Sequence, residues 1–450
     1  MRDRHSPSQC YPPHLWAAAP RRQALMIVLV FQTALRTTTT VGSPGVPSLD
    51  ARHPVATIPW RSRPDQPGIP RPRSATAIAI GADATRRPAA APNRVHIGRR
   101  AGLDQPWISH GSGAAQSPGS PSPILRWSHM EGMWDCADLE ELVYRFIRGG
   151  VERVVQLLPN VVGLNLVANV LNRQTKTKSL RVAREHYDLD NDLFFSFLGK
   201  YHNYSCAYYR DTEDLDVAQL QKMNLICDKL GLTATDRVLD VGGGWAEIAR
   251  HMATRHGCKV TSINISEEQM RFSREYCRGT SVDIVRRDYR DLDGEYDKIA
   301  VIAMLSHVGY KNYRRMFETL HRHLVPNGIV LVETVGANVS LAHCNPWLDR
   351  YIFPGAQFPS IKQMAEAVEG LFVIEDIHNF GPSYTKTLRA WNANFQRNWP
   401  TMAKRYDERT RRMFEFFFLT VAAFFRARDH QNWHLVLSRQ GAPMPACRVS

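Results

Sequence analysis

Arg237-Val238-Leu239-Asp240-Val241-Gly242-Gly243-Gly244-Trp245 joins an apolar strand to three glycines, with a helix predicted directly after them. Glycines let a backbone approach a ligand closely, and the free N–H groups of a helix start favour polar or anionic ligand groups. Such a turn suits a nucleotide-like cofactor, although a strand-to-helix turn without a ligand has the same outline. A dinucleotide fingerprint would carry a further glycine at 247. This chain has Glu247 there, so a smaller cofactor such as S-adenosylmethionine is favoured over NAD or FAD.

Downstream of the turn, strand and helix patterns alternate. Strands are predicted at Arg237 to Val241, Lys259 to Ile265, Val282 to Val285, Lys298 to Met304 and Gly328 to Thr334, with helices at Ala246 to Arg255, Glu267 to Cys277 and Asn312 to His323. The alternation implies an α/β fold with a doubly wound, Rossmann-like parallel sheet whose ligands sit at the carboxyl ends of the strands. Gly242, Asn264, Asp288, Ser306 and Glu333 all fall at or near such ends and are candidates for one site.

Composition divides the chain. Residues 1 to 129 hold sixteen arginines, no lysine, five aspartates, no glutamate and 18 of the 27 prolines, so most of the net charge of +14 belongs to this leader. The remainder is nearly neutral, and the high pI is no argument for nucleic-acid binding. A leader of this composition is expected to be disordered. Three readings of it stay open: sequence upstream of a true start at Met130 or Met133, an Arg-rich transit segment, or a secretory signal around the apolar run Ala24 to Phe31. Residues 130–178 read as a helical extension with apolar segments Val151 to Leu158 and Val161 to Leu171, the second of which could lie on a bilayer surface but is expected to dock on the main domain, followed by a basic linker from Arg173 to Lys178. Residues 179–439 form the main domain and 440–450 a tail.

Polar and aromatic residues crowd into His186 to Tyr209, which suggests a lid over a site. An amphipathic helix follows from Asp214 to Leu230. Near the C-terminus a helix from Ser360 to Glu369, a strand around Phe372 to Ile374, helices over Leu388 to Tyr406 and Glu408 to Arg428, and a last strand from Trp433 to Ser438 are predicted. The aromatic run Phe414, Phe416, Phe417, Phe418, Phe424 and Phe425 reads either as core or as the wall of an apolar substrate tunnel. The eight cysteines include no C-x-x-C pair, and His321 and His323 diverge on their helix, so a reduced, intracellular protein without a metal is expected.

Several segments together resemble the cyclopropane-fatty-acyl-phospholipid synthase and mycolic acid cyclopropane synthase family. They are His186-Tyr-Asp-Leu, Asn191-Asp192, Tyr204-Ser-Cys-Ala-Tyr-Tyr209, Val238-Leu-Asp-Val-Gly242, Asp288-Tyr-Arg-Asp-Leu292, His307-Val-Gly-Tyr-Lys-Asn-Tyr313, Pro346-Trp347, Tyr351-Ile-Phe-Pro354, His378-Asn-Phe-Gly381 and Phe425-Arg-Ala-Arg428. The resemblance runs from about 180 to 439. It implies a class I methyltransferase sheet with added helices forming a lid and an acyl-chain tunnel, S-adenosylmethionine as cofactor, and an unsaturated acyl phospholipid as substrate. Carried over by position, it implies that Tyr204, Ser205, Gly242, Gly244, Asn264, Gln269, Asp288 and Tyr289 surround the cofactor. Asn264 would hydrogen-bond ribose hydroxyls and Tyr289 would stack on adenine.

The resemblance also implies catalytic positions at Cys206, Ser306, His307, Glu333 and Tyr384. Family members resemble one another in a bicarbonate site made of a Cys, a Glu, a His and a Tyr. Cys206 and Tyr384 match it, but Ser306 stands for the Glu and Glu333 for the His. Losing the His and gaining an acid should repel a bound anion, so Glu333 is expected to act as a protein-borne base in place of bicarbonate, with Tyr384 orienting it or shielding the cation. The turn departs too, with Gly243 for a usual Cys and Ala246 and Glu247 for glycines.

The expected function is S-adenosylmethionine-dependent cyclopropane formation on a phospholipid acyl chain. The alternatives are a C-methyltransferase giving a methyl-branched, methylene or furan-precursor lipid, and a non-catalytic paralogue. Peripheral attachment to the membrane from the cytoplasmic side is expected, no nucleic acid is, and a homodimer is left open.

Overall fold

The computed structural model describes residues 128–150, 190–341 and 344–449. The leader up to residue 127, the apolar segments Val151 to Leu158 and Val161 to Leu171, the linker and the His186-Tyr-Asp-Leu motif lie outside them. The elements in chain order are α1 (Leu139–Arg148), α2 (Asn191–Leu198), α3 (Leu215–Leu230), β1 (Arg237–Val241), α4 (Glu247–His256), β2 (Lys259–Asn264), α5 (Glu267–Tyr276), β3 (Val282–Arg286), β4 (Tyr296–Ile302), α6 (Tyr310–His323), β5 (Leu324–Ala337), α7 (Pro346–Tyr351), α8 (Ile361–Val368), β6 (Phe372–Asn379), α9 (Gly381–Met402), α10 (Glu408–Arg426) and β7 (His430–Arg439).

One seven-stranded sheet has the order β3-β2-β1-β4-β5-β7-β6. β1 to β5 pair in parallel, as the alternation predicts. β7 runs antiparallel to both β5 and β6, a direction that the strand and helix alternation upstream does not set. The reason lies in the connection. A single crossover helix carries the chain back to the end where the next parallel strand must start, whereas α9 and α10 form a helical hairpin that returns it to the end it left.

Alternate residues of the central strands feed two apolar clusters, one on each face. Leu239, Val241, Val330 and Val332 face α6 and α8, while Val238, Ala300 and Leu331 face α3 and α4. A third cluster lies under a helical cap of α1, α2, α7, α9 and α10. Asp407 caps α10 by accepting from the Thr410 backbone at 2.8 Å. The aromatic face of that helix then buries Phe414, Phe416, Phe417, Phe418, Phe424 and Phe425 to 4% exposure or less. Their rings interlock with Phe197, Trp391 and Phe395, the Phe197 and Phe418 centroids lying 5.0 Å apart, so the aromatic run is packed core. Each buried phenylalanine contributes about 1.5–3 kcal/mol to holding the cap down.

α1 docks on this cap through a polar seam. Arg389 grips Glu140 with two bonds of 2.6 and 2.7 Å, and the Arg426 guanidinium lies 4.1 Å from the Tyr144 ring centroid. The packed body reaches back to Ser128, whose hydroxyl accepts from the Trp134 indole at 3.0 Å.

The inserted strand β7 fits because β5 is bare at Gly336, where the Trp433 ring lies over the backbone; a methyl built there would overlap the ring. Gly336→Ala is expected to destabilise the protein by about 1–3 kcal/mol through overpacking, read as a lowered urea midpoint at unchanged m-value.

Candidate functional site

The glycine turn is held from β2: the Gly242 and Gly243 amides both donate to the Ile263 carbonyl, at 2.9 and 3.2 Å. Gly242 and Gly244 have φ of +79° and +57°, which is why glycine serves there. A methyl on Gly244 would meet nothing within 4 Å, so the cleft lies open above it. Ala246 takes the same left-handed conformation at φ +62° without being glycine. That costs about 1–2 kcal/mol, offset by burial of its methyl in the cluster shared by α3 and α4.

Gly243 is bare for another reason. The Ser262 hydroxyl donates to Asp240 Oδ2 at 2.8 Å, and a side chain at 243 would overlap both groups. A carboxylate and a hydroxyl thus occupy the space that a cysteine at 243 would need.

Tyr204, Ser205, Gly242, Gly244, Asn264, Gln269, Asp288 and Tyr289 line one cleft at the carboxyl ends of β1, β2, β3 and β4, with Asp240, Glu247 and His307 among their neighbours. Asn264 is less free than the sequence suggests. Its Nδ2 donates to the Gly244 carbonyl and to Gln269 Oε1, each at 3.0 Å, and its Oδ1 accepts from the amides of Ile265 and Ser266. The side chain braces the turn against α5. Asp288 is held by Arg290 at 2.8 Å, whose guanidinium also lies 4.7 Å from the Tyr289 ring centroid. Burial holds the His307 imidazole down at about 4, so it is neutral at ordinary pH.

The lid is fastened from below by groups that sequence reasoning missed. Lys222 on α3 is fully buried and donates to Ser205 Oγ at 2.7 Å, while Gln219 donates to the Ser205 carbonyl at 3.1 Å. Burial depresses the Lys222 ammonium, and the carboxylates of Glu333, Glu247 and Asp240 oppose that shift. Helical spacing was the available signal, since Lys222 shares the inner face of α3 with Ala218, Gln219 and Ile226. Trp245 adds a second tie, its indole donating to Asn191 Oδ1 on the lid helix α2 at 2.8 Å.

Cys206, Ser306, Glu333 and Tyr384 do not line the cofactor cleft. Glu333 is 1% exposed, and its Oε2 lies 3.1 Å from Nε2 of His434, its cross-strand neighbour on β7. Oε1 receives no hydrogen bond among the described residues. Burial pushes the His434 imidazole down, against the pull of Glu333, and holds the Cys206 thiol well up, with Glu333 adding to the effect. Cys206 and Lys222 therefore feel the Glu333 charge, and the four residues form a second polar cluster behind the lid. His434 escaped the sequence reading because only strand register places it opposite Glu333. Ser306 lies in a short turn, its carbonyl accepting from the Gln357 amide at 2.8 Å. Tyr384 lies on α9 with its ring 4.6 Å from that of Phe425.

The cleft fits an adenosine bearing a cationic amino acid. It is open above Gly244, has Asp240 on its floor and offers Asp288 and the Tyr289 ring at the β3 side.

Residues 174–435 match the family model described as mycolic acid cyclopropane synthetase. The chain is 41% identical over 315 residues to the cyclopropane-fatty-acyl-phospholipid synthase of Escherichia coli (strain K12), covering 69% of this chain and 82% of that protein. It is 30% identical over 340 residues to the tuberculostearic acid methyltransferase UfaA1 of Mycobacterium tuberculosis, covering 70% and 78%. Among solved structures, mycolic acid cyclopropane synthase CmaA1 complexed with SAH and CTAB is 26% identical with a TM-score of 0.54, covering 58% of this chain and 98% of that one.

Burial raises the Asp240 carboxyl to about 6, opposed by the Ser262 hydroxyl and the Lys222 charge. Because this is above the value of a free aspartate, the folded protein holds the proton more tightly than the unfolded chain. The resulting stability is present below about pH 4 and lost as pH rises through about 6. A cationic ligand has the opposite preference. Affinity for S-adenosylmethionine is expected to strengthen as pH rises through about 6, and Asp240→Asn should flatten that profile in calorimetric titrations.

Proposed function

The chain belongs to the mycolic acid cyclopropane synthetase family, and from that premise we propose that it transfers a methylene group from S-adenosylmethionine to a double bond of an unsaturated phospholipid acyl chain. The observation that carries this reading is the glycine-turn cleft set beneath a lid whose Tyr204 and Ser205 line it, in a chain that spans 82% of the Escherichia coli synthase. Tyr204, Ser205, Gly242, Gly244, Asn264, Gln269, Asp288 and Tyr289 form the cofactor-binding set in this proposal, within a catalytic domain at 179–439 that follows an extension at 130–178.

When bound, S-adenosylmethionine supplies an electrophilic methyl group on a sulfonium. The alkene carbon that accepts it leaves a carbocation on its neighbour, and the protein must then take a proton. Loss from the added methyl closes a cyclopropane ring; loss from an adjacent chain carbon leaves a methyl-branched alkene, and a 1,2-hydride shift onto the cation followed by loss from the methyl leaves a methylene chain. Glu333 is the base in this proposal. Its support is a buried carboxylate with one oxygen aligned by His434 and the other without a donor, beside Cys206 of the lid. His434 acts as a positioning residue, and Tyr384 and Ser306 shape the surroundings of the cation. A carboxylate in this place leaves bicarbonate no role.

Among the described residues no helix is long and apolar enough to cross a membrane. Because acyl chains reside in bilayers, this reading includes peripheral attachment to the bilayer surface.

Cells expressing the full chain should gain phospholipids heavier by one CH₂, and chromatography against a cyclopropane standard identifies the product. No mass gain alongside intact cofactor binding would favour a non-catalytic paralogue. In vitro, Glu333→Gln should lower turnover by about 10²–10⁴-fold, the range of a lost general base, while S-adenosylmethionine binding is retained. The wild type should keep its rate when bicarbonate is removed; unchanged turnover in the variant would take Glu333 out of the mechanism.

A further inference from the structure

On the far side of the glycine turn, where α3 packs against α4, three nitrogen and sulfur donors converge. Cys227 is fully buried on α3, His251 is 7% exposed on α4, and His256 is half-buried as the last residue of α4. One ligand atom from each lies within 4.8 Å of the others. No spacing in the sequence announces the group, because the cysteine comes from one helix and the two histidines from another.

We propose that Cys227, His251 and His256 form a zinc-type metal site that clamps α3 to α4 beneath the cofactor cleft. The donors set the class of ion. One thiolate and two imidazoles with no carboxylate suit zinc or another late transition ion and disfavour calcium and magnesium. A tetrahedral zinc centre separates such ligand atoms by about 3.3–3.6 Å, given its bond lengths, against the 4.8 Å within which these three atoms already lie.

The surroundings are those of a metal ligand set. His251 Nε2 lies 3.0 Å from Asn224 Oδ1, the outer acceptor that fixes an imidazole tautomer and leaves the opposite nitrogen as donor. His256 stands at the C-terminal end of its helix, where the helix dipole favours a cation. Cys258 does not join the group; its thiol donates to the Met252 carbonyl at 3.4 Å. When the Cys227 sulfur–metal bond forms, the thiol proton goes to solvent, so affinity rises with pH.

The clamp has a consequence for the site above it. α3 carries Lys222 and Gln219, which fasten the lid, and α4 begins at the glycine turn. An ion at this point fixes the lid's anchor relative to the turn.

The test is a cobalt titration of the full chain, reduced and stripped of metal. The expected result is one equivalent bound with a thiolate-to-cobalt charge-transfer band, displaced by zinc, and a melting temperature raised by zinc. Cys227→Ser should abolish the band and Cys258→Ser should keep it. His256→Ala lies at a half-exposed helix end and leaves the core intact; it should weaken cobalt binding at least tenfold. A wild-type chain that gives no band, a band surviving Cys227→Ser, or unchanged cobalt affinity in His256→Ala would each overturn the site.

Discussion

Lys222 carries an ammonium group into a place closed to water, and the arrangement of the cleft follows from how that charge is met. An isolated buried cation is expensive, by several kcal/mol even after relaxation, so the carboxylates around it are part of its solvation. They come from β1 as Asp240, from α4 as Glu247 and from β5 as Glu333. Its hydrogen bond goes to the lid at Ser205. One charge therefore joins the lid, the floor of the cofactor cleft and the proposed base. A shift in any one of these acids changes the field felt by the other two.

The same coupling gives meaning to the departures in the turn. With Gly243 bare, Asp240 and Ser262 close the space beneath the turn and place a carboxyl near neutrality on the floor of the cleft. Ala246 holds a conformation usually left to glycine, and Glu247 brings a carboxylate to the first turn of α4, where the helix dipole favours it. The turn keeps its path by exchanging a cysteine and two glycines for a buried polar network.

Much of this was legible in the sequence. The five parallel strands and the turn between β1 and α4 follow from apolar periodicity and glycine placement, while the eight positions proposed to hold the cofactor come from the family resemblance and line one cleft in the fold. What was not legible depends on contacts between distant segments. Hydrophobic alternation identifies β7 as a strand but carries no direction, and only the α9–α10 hairpin makes it antiparallel. Register then sets His434 beside Glu333, a pair separated by 101 residues. Asn264 was readable as a polar strand-end residue, yet its engagement with Gly244 and Gln269 depends on how α5 sits. The aromatic run of α10 was readable as core or tunnel, and the depth of its burial under the cap decided for core.

The insertion of β7 between β5 and β6 also sets a timetable. Synthesis proceeds from the N-terminus at about 5–20 residues per second, so β1 to β5 and the glycine turn leave the ribosome well before residues 430–439. Until then β5 offers an unpaired edge and Glu333 has no imidazole beside it. A nascent chain can shape its cofactor cleft early, but the proposed base is aligned only when nearly the whole polypeptide has emerged. On that proposal chemistry at the double bond waits for the last strand, and the β5 edge that β7 covers stays unpaired until that strand is made.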